Sequence, residues 1–187
     1  FLDYMDRFDI NYWKLDGFCL KPCKNQKHDH ITGGDHDMYF VTELWRRWIR
    51  IFKAMREVRK KQGKELWINF TCYVNPSPWW LQYVNSIWLQ NSLDIGFAEN
   101  YPEGEQAQVD AELTYRDSIY YDFIVTRGLQ FPLSNIYNHE PIYGREAHLD
   151  YTDSEFEKAF FWNACRGAAL NELYISESMM NEQKWQI

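Results

Sequence analysis

An α/β fold, with a parallel sheet and helices packed outside it, is what this sequence predicts, and three observations carry the reading. Short apolar runs alternate with longer stretches of helical period. The crossovers between them are short. The run Tyr12-Trp13-Lys14-Leu15-Asp16-Gly17-Phe18 closes an apolar strand on a carboxylate and then a glycine, and strand ends of parallel α/β proteins form the floor of the ligand cleft. Five strands are legible and the sheet is closed or open. Five cannot close an eight-stranded barrel, so a (β/α)8 TIM barrel would be represented by about its C-terminal half.

Taken in order, residues 1–8 read as the end of a helix and residues 10–15 as the first strand. A polar loop over residues 17–37 carries Gly33 and Gly34. Residues 38–62 place Phe40, Leu44, Trp48, Ile51, Phe52, Met55 and Val58 at the three-and-four spacing of an amphipathic helix, which Gly63 ends. Residues 66–73 form an uncharged aliphatic and aromatic run, the second strand. Asn75-Pro76-Ser77-Pro78 then breaks the chain and caps a short helix through Val84.

Residues 86–89 are apolar enough for a third strand, and Asp94 follows it as Asp16 follows the first. After a loop over residues 101–108, residues 111–127 read as a helix stopped by Gly128. Residues 129–137 read as a fourth strand broken by Pro132, and residues 138–151 as a loop with His139 and His148. A helix over residues 153–170, capped by Thr152 or Asp153, precedes a fifth strand over residues 173–176. No linker, internal repeat or low-complexity tract interrupts residues 1–187, which read as one domain or part of one.

The aromatic share of 18%, with nine Trp, exceeds what an ordinary interior needs. Flat rings suit the C–H faces of sugars, although large core residues account for most of them equally well. A net charge of −7 argues against nucleic acid as a partner. The one basic run, residues 46–64, reads as the solvated face of a helix. Cys19, Cys23, Cys72 and Cys165 contain no CxxC pair, so neither a zinc ribbon nor a disulfide framework is indicated. A bridge between Cys19 and Cys23 stays open. No stretch approaches the ~20 apolar residues of a membrane span. With Phe at position 1 and a strand arriving almost at once, the chain reads as a piece of a longer protein, and the compartment stays open, secreted or periplasmic included.

Retaining hydrolysis of a glycosidic bond needs two carboxyl groups about 5 to 5.5 Å apart, one to attack the anomeric carbon and one to protonate the leaving oxygen. Asp16 and Asp94 each follow a strand, and those strands lie two apart in the order. Lys14 points to the same side of the pleat as Asp16 and supplies a counter-charge; the alternative is a Lys–Asp pair that only braces the strand. Leu93, Ile95 and Phe97 surround Asp94 with the apolar groups that suit a proton donor.

At these residues the chain resembles the melibiase-like α-galactosidases and α-N-acetylgalactosaminidases of glycoside hydrolase clan D. Lys14-Leu15-Asp16 looks like the Lys-x-Asp motif that carries the nucleophile at the end of the fourth barrel strand. Trp88, Ser92 and Asp94 are similar to the acid/base segment after the sixth, with one extra residue between Trp and Ser. The resemblance implies that the strands here are about the fourth to the eighth of a TIM barrel and that residues 1–187 are a partial catalytic domain. It further implies double displacement on terminal α-galactosyl-type residues of an oligosaccharide or glycoconjugate, through a glycosyl–Asp16 intermediate and without cofactor or metal. Cys72 matches the family's cysteine after the fifth strand, but Tyr73-Val74-Asn75-Pro76 stands where many members have glycines, so galactose and N-acetylgalactosamine are not distinguished. Sugar contacts are expected from Trp13, Lys14, Asp37, Cys72, Trp88 and His139; a plain core thiol is the alternative for Cys72. One of Trp79 and Trp80 is a candidate stacking ring, with two core rings the alternative.

Other readings compete. His28-Asp29-His30 with Asp35-His36-Asp37 has metal-ligand chemistry. It lacks the fixed geometry of a helical pair, and a polar lid in which His36 or Asp37 binds sugar hydroxyls suits it better. His139 and Glu140 have the same two readings, sugar contact or exposed loop pair. Glu172 and Glu177 flank the last strand, and Glu177 is a rival proton donor to Asp94. No nucleophile elbow, P-loop or dinucleotide fingerprint occurs. The alternative in another class is a carbohydrate-binding barrel that does not turn over.

Overall fold

A computed structural model describes residues 1–16, 25–31, 39–71, 77–88, 113–115, 117–128, 131–139, 151–166, 170–172 and 175–187. They form two compact units, residues 1–74 with 79–87 and residues 75–78 with 88–187. Both are mixed α/β with parallel strands, as the alternation of short apolar runs and helical stretches predicts.

In the first unit, helix α1 (Leu2–Phe8) ends on Asp9, whose φ of 52° and ψ of 41° are left-handed. Aspartate tolerates that region better than most side chains. Strand β1 (Tyr12–Leu15) follows, then helix α2 (Tyr39–Lys61), which Gly63 stops at a φ of 67°. Three basic residues, Arg59, Lys60 and Lys61, sit in the last turn of α2, where cations complement the carbonyl end of the helix dipole. Strand β2 (Trp67–Phe70), a 3₁₀ turn (Pro78–Gln82) and strand β3 (Ser86–Trp88) follow, with Pro78 and Trp88 assigned to the second unit. Strand β1 pairs in parallel with β2, Lys14 opposite Asn69 and Leu15 opposite Phe70, and β2 pairs in parallel with β3, Asn69 opposite Ser86.

Alternation along β2 divides the sheet into two faces. Ile68 and Phe70 turn to α2, where the Phe70 ring lies 5.2 Å from Phe52 and 4.8 Å from Trp80. With Leu15, Met55 and Ile87 these buried residues make the core. Trp67, Asn69 and Thr71 alternate to the other face. Buried Arg59 ties α1 to α2: its Nη2 donates to the carbonyls of Met5 (2.6 Å) and Ile10 (2.8 Å).

In the second unit, strands β4 (Ile136–His139) and β5 (Leu170–Glu172) pair in parallel, with Tyr137 opposite Leu170 and His139 opposite Glu172. Helix α3 (Asp153–Cys165) opens on a capping box. The Thr152 hydroxyl accepts from the Glu155 N–H while the Glu155 carboxylate accepts from the Thr152 N–H at 2.8 Å. Leu113, Tyr151, Phe156 and Ala159 form its core, with Ile175, Met179, Met180 and Ile187 against them.

Several boundaries differ from expectation. The fourth strand starts at Ile136, not at residue 129, because Pro132 brings no ladder N–H and a 3₁₀ turn (Leu133–Asn135) follows it. The same strand runs on through Asn138 and His139, which were expected in a loop. The fifth strand is described over Leu170–Glu172; of the expected residues 173–176, Ile175 makes a β-bridge and 173 and 174 lie outside the described residues, while α3 ends at Cys165 where a helix to residue 170 was expected. A short apolar run has no period of its own to choose helix or strand, and pairing with β4 decides it. Residues 117–121 are helical as expected but then widen into a π turn (Asp122–Thr126), ended by Gly128 at a φ of 60°.

Candidate functional site

The face of the first unit's sheet that turns away from α2 holds the candidate site. Asp16 directly follows Leu15, the last residue of β1, and is exposed at the strand's carboxyl end. Lys14, half-buried, is two residues back and therefore on the same side of the pleat. Register then sets Asn69 and Ser86 in Lys14's row. Thr71 comes next to Asp16, since the Thr71 N–H donates to the Leu15 carbonyl at 2.9 Å in the continuing parallel ladder. The Trp67 indole N–H donates to the Ser86 hydroxyl (3.1 Å), which donates to the Asn69 side-chain carbonyl (3.0 Å). Asn69, Thr71 and Ser86 are all buried. One face of the sheet is thus apolar and fills the core, while the other carries a cation, an exposed carboxylate, and a buried amide with two buried hydroxyls.

Trp13 is on the opposite side of β1 from Lys14 and Asp16. Its ring meets Phe1 edge-on at 5.0 Å, and Phe1 in turn meets Trp48 of α2 at 5.9 Å. The structure does not bring Trp13 to the Asp16 face. Trp88 closes β3, is buried, and belongs to the second unit. His139 closes β4, and Glu172, in register with it, closes β5. Glu177 is exposed in a 3₁₀ turn (Glu177–Met179). Of the tryptophan pair, Trp80 is a core ring and Trp79 is exposed, edge-on to it at 4.9 Å. Asp94, Asp37, Cys72, Glu140, Ser92, Asp35, His36, Cys19 and Cys23 lie outside the described residues.

Around the expected lid, the His28 and His30 rings stack 4.8 Å apart. Asp29 is engaged elsewhere: Arg47 of α2 donates to it at 3.0 Å, and that hydrogen bond holds its carboxyl below the usual carboxylate value. Among the described residues no group of three or more His, Cys, Asp or Glu is arranged to hold a metal ion. No described helix is long and apolar enough to cross a membrane.

A cleft of about 750 Å³ opens at the other end of the strands, between Lys53, Arg56, Lys60 and the turn Gly63–Leu66. Its Arg56 donates to the Tyr83 carbonyl (2.9 Å) and the Asn85 side chain (2.8 Å), which pins α2 to the start of β3. Burial pushes the Arg56 guanidinium below its ordinary value.

Sequence reasoning missed Asn69, Thr71 and Ser86 as residues of the face that carries Asp16. The signal was the alternation Trp67-Ile68-Asn69-Phe70-Thr71, polar on every second residue after the indole, which only register joins to Lys14 and Asp16. No family model, curated protein or solved structure matches this chain.

Proposed function

We propose that this chain is the nucleophile-bearing part of a retaining α-glycosidase, a (β/α)8 barrel represented by about its fourth to eighth strands. The observation that carries the proposal is the position of Asp16, an exposed carboxylate at the carboxyl end of a parallel strand, beside Lys14 and away from the packed helix. The Lys-x-Asp resemblance to clan D glycosidases gives that position its chemistry.

In the proposed reaction an Asp16 oxygen attacks the anomeric carbon, forming a glycosyl ester as the glycosidic C–O bond breaks. Asp94 passes its proton to the departing oxygen. It then takes a proton from water, which attacks the anomeric carbon, breaks the ester and releases Asp16 as carboxylate. The substrate class is a terminal α-galactosyl-type residue of an oligosaccharide or glycoconjugate.

The test is hydrolysis of 4-nitrophenyl α-galactoside and its N-acetylgalactosamine counterpart by the protein and by Asp16→Asn. Turnover should fall by roughly three orders of magnitude or more. A 2-deoxy-2-fluoro sugar bearing a good leaving group should label Asp16. A label mapped to another residue, or sugar binding without turnover in the unmutated protein, overturns the proposal; the second result makes the chain a binding barrel.

A further inference from the structure

The polar face holds a side chain with no visible employment. Thr71 is 1% exposed, and its hydroxyl has no hydrogen-bond partner among the described residues. A buried hydroxyl in that condition is costly and calls for an explanation. Its surroundings offer one. Leu15 pairs with Phe70, and the Thr71 N–H donates to the Leu15 carbonyl at 2.9 Å, so the next cross-strand neighbours are Asp16 and Thr71. Phe70 turns its ring to Phe52 of α2, so Thr71 turns the other way, to the side shared by Lys14 and Asp16. Adjacent strands lie about 4.8 Å apart, a gap that a threonine hydroxyl and an aspartate carboxylate span when both rotate toward each other. Hydrogen bonds of this kind often tighten only once substrate is bound.

We propose that Thr71 is a positioning residue for Asp16: with sugar in the site its hydroxyl donates to the carboxylate oxygen that does not attack. The other oxygen is thereby aimed at the anomeric carbon. This inference rests on the proposed glycosidase reading and adds to it a residue that no motif marks. Lys14 stands two residues before Asp16 on the same side of the pleat; Thr71 reaches from the neighbouring strand and fixes rotation.

The experiment compares the unmutated protein with Thr71→Val, Thr71→Ala and Thr71→Ser on 4-nitrophenyl α-galactoside, with melting temperature measured alongside. Valine keeps the shape and removes the donor. Its kcat should fall on the order of 10- to 100-fold with KM little changed, as for a misaimed reacting group. Its melting temperature should hold or rise, because a hydroxyl without a partner gives way to a methyl. Serine should restore most of kcat, and alanine should behave as valine, which keeps the test open if valine packs badly. Equal turnover in Thr71→Val and the unmutated protein, or a Thr71→Ser variant as slow as valine, overturns the assignment and leaves the glycosidase reading intact. No turnover in the unmutated protein overturns both.

Discussion

Replacing Arg59 by methionine should remove the main tie between α1 and α2 in the first unit. The side chain is buried, and its Nη2 supplies hydrogen bonds to two backbone carbonyls, Met5 at 2.6 Å and Ile10 at 2.8 Å. Nη1 donates to the Gln62 side chain at 2.6 Å and pairs with Asp9 at 3.1 Å. These four contacts do not count equally. The Asp9 side chain is 57% exposed and keeps Lys64 at 2.6 Å, so solvent screens its pairing with Arg59 and losing that pairing is a minor part of the cost. Gln62 can turn to water. The carbonyls cannot follow it without α1 moving, and each one left without a donor costs about 1–3 kcal/mol. Methionine fills most of the arginine stem, so the cavity contribution is small. The expected loss is about 2–6 kcal/mol, a large part of the roughly 5–15 kcal/mol of a typical domain. Urea unfolding followed by tryptophan fluorescence measures it. An Arg59→Met protein within about 1 kcal/mol of the unmutated one, or an Asp9→Asn variant that loses as much, would refute the reasoning, since either would move the weight from the carbonyls to the ion pair.

Two further outcomes follow from local chemistry. Thr152→Ala takes away the oxygen that receives the Glu155 N–H and should cost about 0.5–2 kcal/mol, while Thr152→Ser should be nearly neutral; thermal melting of both variants decides. The hydrogen bond from Lys64, aided by the charges of Lys64 and Arg59, holds the Asp9 carboxyl below its ordinary value of 3.8. A carboxyl lowered by folding stabilises fully above that ordinary value and loses its contribution as pH falls through the folded one. Lys64→Gln should therefore be less stable than the unmutated protein near neutrality, with the gap in urea midpoint closing as the pH drops. A gap that stays constant into acid would remove Asp9 from the account.

Helix α2 and strand β2 were legible because their periods are long or pure. Residues 38–62 carry an unbroken three-and-four apolar spacing, and α2 appears as Tyr39–Lys61. The expected strand over residues 66–73 appears as Trp67–Phe70, shorter but in place. Leu170, expected at the end of the preceding helix, pairs instead as the first residue of β5, because it belongs to a run too short for a period to separate helix from strand. Trp13 shows a different limit. Adjacent to Lys14 in sequence, it was grouped with the site, yet neighbours on a strand point to opposite faces and Trp13 packs on Phe1.

By itself the sequence determined the alternation of strands and helices, the acidic and aromatic character of the chain, and the position of Asp16 at the end of its first strand. These are local or compositional properties, written in neighbours and in short periods. Only the tertiary structure decided which side of the sheet meets α2, and hence which residues stand with Asp16. Cross-strand register brings Thr71 and Asn69, more than fifty positions along the chain, into the rows of Asp16 and Lys14. A slip of one residue would have turned that polar row into the core, and the burial of Phe70 against Phe52 is what forbids the slip.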